Sequence, residues 1–428
     1  MSGQGQSESG QGGSPLDRNG LDRRSFMVRT AGGLAAMSLV PSVAMGRSAA
    51  VQPSGASVAV IGAGRQGRDI LSELARIPGA TVTAVCDIND RRLASSLRRA
   101  AGAEGYASVD ELMNAADTFD AVVVATPTPT HRAIGERAIE SGKHVYLECP
   151  LAHTVEDCAA LASAARSSGA VVAAGLQGRA NPVYSLARGF FLSDSVRDCV
   201  SMRAQHNRKT SWRLPVRGGQ SEAEINWRLN PEVSTGLAGE WGTQQFDVFH
   251  WYTGRYPVAV RGWGSVRLHR DGREIPDTIN CILEFDDGTV LDYAATLANS
   301  YEDKYEVFYG TNAAIKLAWS HGWMFKEADA PTQGWEVYAN RQQFHNAEGI
   351  TLIAGATQLA EQGKLKEGVG LPNSSLWYAL DDWVGAIGEG GSPACSVDEA
   401  ARATAVGIAA HRAVMDEKRV EIDLSAVS

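Results

Sequence analysis

The 428-residue sequence predicts an α/β protein: a doubly wound parallel sheet, followed by an α+β domain with an open, mostly antiparallel sheet. Three observations carry this prediction. From Ser57 to about Gln177, short apolar runs alternate with stretches of helical spacing, the order that builds parallel β-α-β units. The first run ends in a glycine-rich turn that opens a helix. After Gln177 the alternation gives way to period-two runs separated by turn residues.

The composition, 44% hydrophobic and 21% charged, is that of a globular chain long enough for two cored domains. A net charge of −9 supplies no basic field, so no nucleic-acid partner is expected. Six cysteines over this length do not make a disulfide framework. Beyond the N-terminus no apolar run reaches the roughly 18 residues a membrane span needs.

Residues 1–46 read as a leader. Met1 to Gly20 is rich in Ser, Gly and Gln and has little to bury. Arg23-Arg24-Ser25-Phe26-Met27 then precedes a mildly apolar run, Ala31 to Ala44, with small residues at Ser42-Val43-Ala44 and Ala44-Met45-Gly46. This resembles a twin-arginine export signal and implies a periplasmic protein, with no membrane attachment once the signal is removed. The alternatives are a basic tail or an amphipathic segment docked on the domain. No cysteine follows the apolar run, which argues against a lipid anchor. Twin-arginine export carries folded proteins, so a cofactor can be loaded first.

The first domain, 57–176, opens with the strand Val58 to Ile61. Gly62-Ala63-Gly64-Arg65-Gln66-Gly67 follows as G-x-G-x-x-G, and Arg68 to Ile77 has helical spacing. Gly62 permits the tight turn, Gly64 lets a pyrophosphate approach the backbone, and Gly67 lets helix and strand pack closely. A second strand ends in Asp87, 20 residues beyond Gly67, where a carboxylate can take both ribose hydroxyls. Asp87 would repel a 2′-phosphate, which favours NAD over NADP; Arg91 and Arg92 nearby weaken that preference.

A helix from Asp90 to about Ala101 comes next, then one capped by Ser108 with Glu111 at its third position. The apolar strand Asp120 to Ala125 ends in Thr126-Pro127, and a helix closed by Gly142 follows. The run His144 to Leu147 ends in Glu148-Cys149-Pro150, before a helix from Val155 to Ser168. Ligands of such sheets sit outside the carboxyl ends of the strands. Gly62, Gly64, Arg65, Gln66, Gly67, Asp87, Thr126, Pro127, His131 and Glu148 form the expected cofactor-binding set.

The second domain, 177–372, is β-rich, and Asp287-Gly288 between two alternating runs signals a hairpin. All ten tryptophans lie between Trp212 and Trp383. They suit stacking on sugar faces, although large residues filling a second core account for most of them. In 373–428, Leu376 to Ile387 and Asp398 to Val414 read as helices and "RVEIDL" as a closing strand.

The series "GAGRQG…CD…ATPTPTH…SGKHVYLECPLAHT…GLQGRANP" resembles the Gfo/Idh/MocA (glucose–fructose oxidoreductase/inositol dehydrogenase) family from Ser57 onward. The resemblance implies a Rossmann domain and a carboxy-terminal domain whose open sheet covers the nicotinamide and makes homodimers or homotetramers. It also implies last helices folded back beside the first domain. Family dehydrogenases carry a Lys in E-K-P and an acid and a His four apart in D-x-G-x-H-x-x-D; the His takes the hydroxyl proton and the Lys polarises the oxygen. On this chain Cys149 stands at the Lys position, Glu240 at the acid, Gln244 at the His and Asp247 at the distal acid. Glutamine takes no proton near neutral pH.

Glu240 and His206 are the replacement bases to consider, with His250 beside the helix. Arg228 and Arg208 are candidates for binding substrate hydroxyls or a carboxylate. For each of these histidines and arginines a structural role competes. Cys149 reads as a small, partly buried filler; the alternative is a redox or metal thiol, for which His153, four residues on, is the one nearby partner, and no metal site is expected. The resemblance implies an NAD(P)-dependent oxidoreductase acting at a secondary hydroxyl of a sugar or cyclitol. One alternative is a redox-neutral glycosidase like the family's NAD-dependent α-N-acetylgalactosaminidases, which also lack the lysine; they oxidise C3, eliminate, hydrate and re-reduce. The other is a non-catalytic NAD- and sugar-binding protein.

Overall fold

The computed structural model of the chain describes residues 55–217 and 220–428, so the export reading of 1–46 lies outside the described residues. Strand and helix alternate as expected: β1 (Ala56–Ile61), α1 (Arg65–Leu74), β2 (Ala80–Cys86), α2 (Asp90–Leu97), β3 (Glu104–Tyr106), α3 (Val109–Asn114), β4 (Ala121–Val124), α4 (His131–Glu140), β5 (His144–Leu147), α5 (Val155–Ser167) and β6 (Val172–Ala174). The strands form one parallel sheet in the order β3-β2-β1-β4-β5-β6. Val58, Val60, Val122, Val123 and Val124 are fully buried, because helices cover both faces. Strand order reverses between β1 and β4, and the crevice at such a reversal is where dinucleotides bind.

Local chemistry sets the helix ends. The Asn89 side chain accepts from the Arg92 amide, Ser108 from Glu111 and Thr154 from Asp157, so α2, α3 and α5 are capped by short polar side chains. Two boundaries differ from expectation. α1 starts at Arg65, because the second half of the glycine turn is already helical. α2 stops at Leu97, where a turn leads to Gly102 at φ +92°.

The rest of the chain comprises α6 (Pro182–Leu192), β7 (Cys199–Asn207), the short α7 (Glu222–Ile225) and a π-helical turn, Ala238–Gly242, that runs into α8 (Thr243–Thr253). Then come β8 (Ala259–Ser265), β9 (Thr278–Glu284), β10 (Val290–Thr296), β11 (Lys304–Gly310), β12 (Ala313–Ala318), β13 (His321–Lys326), β14 (Arg341–Gln343) and β15 (Glu348–Thr351). α9 (Ala356–Glu361), α10 (Ser375–Glu389), α11 (Val397–Asp416) and β16 (Val420–Glu421) close the chain. The second sheet has the order β14-β15-β13-β12-β11-β7-β10-β9-β8-β16. Its pairs are antiparallel except β7 with β10. The Asp287-Gly288 hairpin joins β9 to β10, with Gly288 at φ +85°.

One face of this sheet packs Met202, Ala204, Tyr293, Ala295 and Phe308 against the helical layer. The alternate positions Arg203, Arg261, Trp263, Ile282 and Asp292 are exposed. The last two helices fold back as expected. α10 places Leu380 and Trp383 in the core beside Val58, Val123 and Tyr146. α11 puts Ala400, Ala401 and Ala403 into the other Rossmann core, and Val406, Ala410 and Val414 into the sheet-domain core. The Thr404 hydroxyl on α11 accepts from the Leu151 amide at 3.0 Å, next to the Glu148-Cys149-Pro150 turn.

Candidate active site

The glycine turn forms a cradle. Gly62 has φ +95°, and a Cβ there would lie 2.5 Å from the Ala125 carbonyl oxygen. A Cβ at Gly67 would overlap the Gly62 carbonyl oxygen, whereas one at Gly64 would meet no atom within 4 Å. The backbone before α1 is therefore open to a phosphate at Gly64 and close-packed behind it. Arg65 is exposed at the first position of α1. The Asp87 carboxylate is buried and accepts from the amides of Ala63 at 2.7 Å and Asn89 at 2.8 Å. Each oxygen keeps lone-pair capacity for a ribose hydroxyl. These residues fit an adenine dinucleotide.

Gln66 donates to Glu148 at 3.0 Å, joining the start of α1 to the end of β5. Burial pushes the Glu148 carboxyl up to about 7, against the opposing pull of the Gln66 amide. Thr126 accepts from the Thr130 hydroxyl at 2.8 Å, and Pro127 leads into a 3₁₀ turn after β4. His131 departs from the cofactor-contact expectation. It is buried, with Nε2 2.9 Å from the Thr126 carbonyl and Nδ1 3.1 Å from that of Pro150. As the first residue of α4 it ties the ends of β4 and β5 together, so it positions the cofactor-facing turns rather than presenting a nitrogen.

The positions of the usual catalytic residues hold different chemistry. Cys149 is half-buried, and burial raises its thiol well above the usual range, so it remains a neutral thiol. The His153 Nδ1 lies 3.7 Å from the Asp157 carboxylate. Gln244 donates to the Gly175 carbonyl at 2.7 Å and accepts from the Gln177 amide at 3.3 Å. Its amide is a crosslink between α8 and the end of β6. Asp247 is fully buried and accepts from the Arg179 guanidinium at 2.8–3.1 Å; Arg179 also reaches Glu399 at 2.5 Å on α11. Both oxygens of Asp247, expected in the catalytic set, serve this buried ion pair, so the geometry gives it a structural task.

Glu240 does lie at the cleft, in the π-helical turn before α8. One oxygen is near the hydroxyls of Thr128 at 3.3 Å and Thr235 at 3.0 Å, and the other accepts from Arg228 at 3.0 Å. Donors from three segments already engage the carboxylate. Its role in this geometry is to hold Arg228 and to join the end of β4 to the carboxy-terminal domain.

Around it stands an aromatic and cationic cluster. His206, at the end of β7, stacks on Trp241 with ring centroids 4.0 Å apart, and Trp212 meets Trp241 edge-on at 5.5 Å. Arg228 lies over the Trp227 ring at 4.3 Å. Burial, then the charges of Lys304 and Arg208, hold His206 well below its usual value, so it is a neutral imidazole. Its Nδ1 is buried and has no hydrogen-bond partner among the described residues. His250 instead stacks on Tyr256 at 3.6 Å, away from this cluster, and burial lowers it to about 4. Sequence reasoning missed Lys304, which pairs directly with His206 across β7 and β11. The available signal was a lysine in register with the inward-facing Glu306 and Phe308 of an alternating strand.

A dinucleotide cradle on a doubly wound sheet, facing an open sheet through an aromatic cleft, defines a two-domain dinucleotide-binding protein. Residues 56–176 match the family described as oxidoreductase family, NAD-binding Rossmann fold, and residues 199–316 match the GFO/IDH/MocA C-terminal domain. The chain belongs to the GFO/IDH/MocA family. It is 27% identical over 376 residues to inositol 2-dehydrogenase 1 of Saccharopolyspora erythraea, covering 86% of this chain and 96% of that protein. It is 29% identical over 163 residues to glycosyl hydrolase family 109 protein 2 of Shewanella sp. (strain ANA-3); that match takes in 32% of this chain and 36% of the relative, about a third of its length. Among solved structures, levoglucosan dehydrogenase in complex with NADH superposes with a TM-score of 0.70 at 19% identity, covering 86% of this chain and 99% of the other. Apo scyllo-inositol dehydrogenase from Lactobacillus casei gives 0.65 at 16%, covering 87% and 99%. At these identities the two structures speak for the fold.

Proposed function

We propose that this protein oxidises a secondary hydroxyl of a sugar or cyclitol by hydride transfer to NAD. The carrying observation is the Thr128–Glu240 contact, which sets the Trp241–His206 stack and Arg228 at the carboxyl end of β4, beside the glycine cradle. Bound NAD supplies the hydride acceptor; Gly62 to Gly67, Asp87, Thr126, Pro127 and Glu148 would hold it. Trp241 and Trp212 offer ring faces to an apolar sugar face, and Arg228 offers donors to its hydroxyls. The relatives' names support a polyol substrate. The test is NADH formation on a panel headed by scyllo-inositol and levoglucosan, set beside aryl-glycoside cleavage.

One observation favours a second reading. Cys149 replaces the lysine expected beside the nicotinamide, and the partial similarity to a glycosyl hydrolase family 109 protein points the same way. A redox-neutral glycosidase would cleave the aryl glycoside without accumulating NADH. Activity on neither substrate type would favour a binding protein.

The leader supports export by the twin-arginine route and a periplasmic location. The exposed outer face of the second sheet, with Trp263 and Ile282 among charged neighbours, supports pairing of copies through that sheet. Light scattering on the purified protein tests the pairing.

A further inference from the structure

We infer that Lys304 is the proton acceptor of this site, with His206 beside it, taking the place of the lysine and histidine that Cys149 and Gln244 replace. The inference rests on the oxidoreductase reading above. Strand alternation puts both side chains on the inner face of the second sheet: His206 is in phase with Met202 and Ala204, and Lys304 with Glu306 and Phe308. The two residues are direct cross-strand partners. The first turn of α8 fixes this end of the sheet, because Gln245 donates to the carbonyls of Gln205 at 3.1 Å and Tyr305 at 2.9 Å. Its neighbour Gln244 holds Gly175, and a Cβ on Gly175 would stand 3.2 Å from Glu148. These contacts tie the Glu148-Cys149-Pro150 turn, through Gly175, Gln244 and Gln245, to the two strands that carry His206 and Lys304.

The surroundings of Lys304 suit proton transfer. Its Nζ lies 3.4 Å from the centroid of the Trp319 ring. Among the described residues it has no hydrogen-bond or ion-pair partner. The charged and titratable groups around it are Asp303 beside it, Glu306 two residues along β11, His206 on β7 with Arg208 beyond, and Tyr184 on α6. The last donates its hydroxyl to Glu306 at 2.5 Å. Burial outweighs the pull of Glu306 and Asp303 and brings the amine down to about 8. A lysine so placed is neutral in a useful fraction near physiological pH, and a base works best when its pKa is near the working pH.

The step balances. The neutral Lys304 amine takes the substrate's hydroxyl proton and becomes an ammonium. The hydride from the same carbon leaves to the nicotinamide, and the alcohol becomes a ketone. The neutral imidazole of His206 keeps a second full positive charge away from the ammonium.

Two measurements test this. The first is the rate of Lys304 acetylation by acetic anhydride in the apo protein as a function of pH, read by peptide mass. A midpoint near 8 is expected; a midpoint near the ordinary lysine value of about 10.4 overturns the proposal. The second is turnover of Lys304→Met and Lys304→Arg on any sugar of the panel that the wild type oxidises, with NADH affinity measured by fluorescence to show an intact fold. Both variants should lose about 10²–10⁴ in kcat/KM with NADH affinity unchanged, and the wild-type profile should rise with pH through about 8. Full activity in Lys304→Met, or rescue by Lys304→Arg, overturns it. If the wild type oxidises no sugar, the oxidoreductase reading fails and the proposal falls with it, whereas the acetylation midpoint reports on Lys304 alone.

Discussion

Gln244 donates its side-chain amide to the carbonyl oxygen of Gly175 at 2.7 Å, so the residue at the family's histidine position fastens the two domains together. Gln244→Ala leaves that carbonyl and the Gln177 amide without their partner. A stability loss of about 1–2 kcal/mol in urea unfolding is expected. Restoring the family pattern with Cys149→Lys and Gln244→His should not raise dehydrogenase activity, because the new imidazole would enter a place shaped for a backbone crosslink. A clear gain in NADH formation by the double variant would show that Gln244 faces the substrate.

Asp247 and Arg179 form a buried ion pair extended to Glu399. Removing Asp247 leaves the buried Arg179 guanidinium with Glu399 alone, so Asp247→Ala should cost about 3 kcal/mol in stability, the low end for a broken buried pair. Its activity, measured below the unfolding transition, should fall only as far as the folded fraction does. An intact fold with abolished turnover would return Asp247 to the catalytic set.

Glu148 gives the apo protein a pH signature. Its folded carboxyl titrates at about 7 against 4.5 for the free group, so between those values the folded chain binds more protons than the unfolded one. Stability therefore falls as pH rises from about 4.5 to 7 and stays lower above it. Glu148→Gln keeps an acceptor for Gln66 and removes the titration. It should be more stable than wild type at pH 8 by on the order of 3 kcal/mol and nearly equal near pH 4. Parallel stability curves for the two proteins would contradict this.

The export reading predicts that replacing Arg23 and Arg24 by Lys retains the protein in the cytoplasm. Fractionation of cells expressing both forms checks it. Normal export of the paired variant would remove the twin-arginine assignment.

The parts legible in the sequence are those set by neighbouring residues. Gly62, Gly64 and Gly67 mark a turn whose geometry depends on a few backbone angles, and Asp87 follows at a spacing fixed by one β-α-β unit. Ser108 and Asp287-Gly288 announce a cap and a hairpin for the same reason. Gln244 looked like a lost base because its partner, Gly175, is 69 positions away and is brought near only by domain docking. Asp247 was similar: its guanidinium partner comes from the turn at Arg179 and its second acid from α11. Lys304 stayed hidden because its meaning depends on the register between β7 and β11, which no local pattern states. The parallel pairing of β7 with β10 was equally out of reach, since a period of two carries no strand direction.

The central claim is that the Gly62–Gly67 cradle serves hydride transfer from a sugar or cyclitol. The most direct measurement is NADH fluorescence after mixing the NAD-loaded protein with each sugar of the panel in a single turnover, with Gly64→Val in parallel. Transient or lasting NADH is expected with at least one sugar, from either a dehydrogenase or a redox-neutral glycosidase. It should vanish in Gly64→Val, whose branched side chain fills the open backbone. A wild-type protein that binds NAD and a sugar together yet forms no NADH would contradict the account.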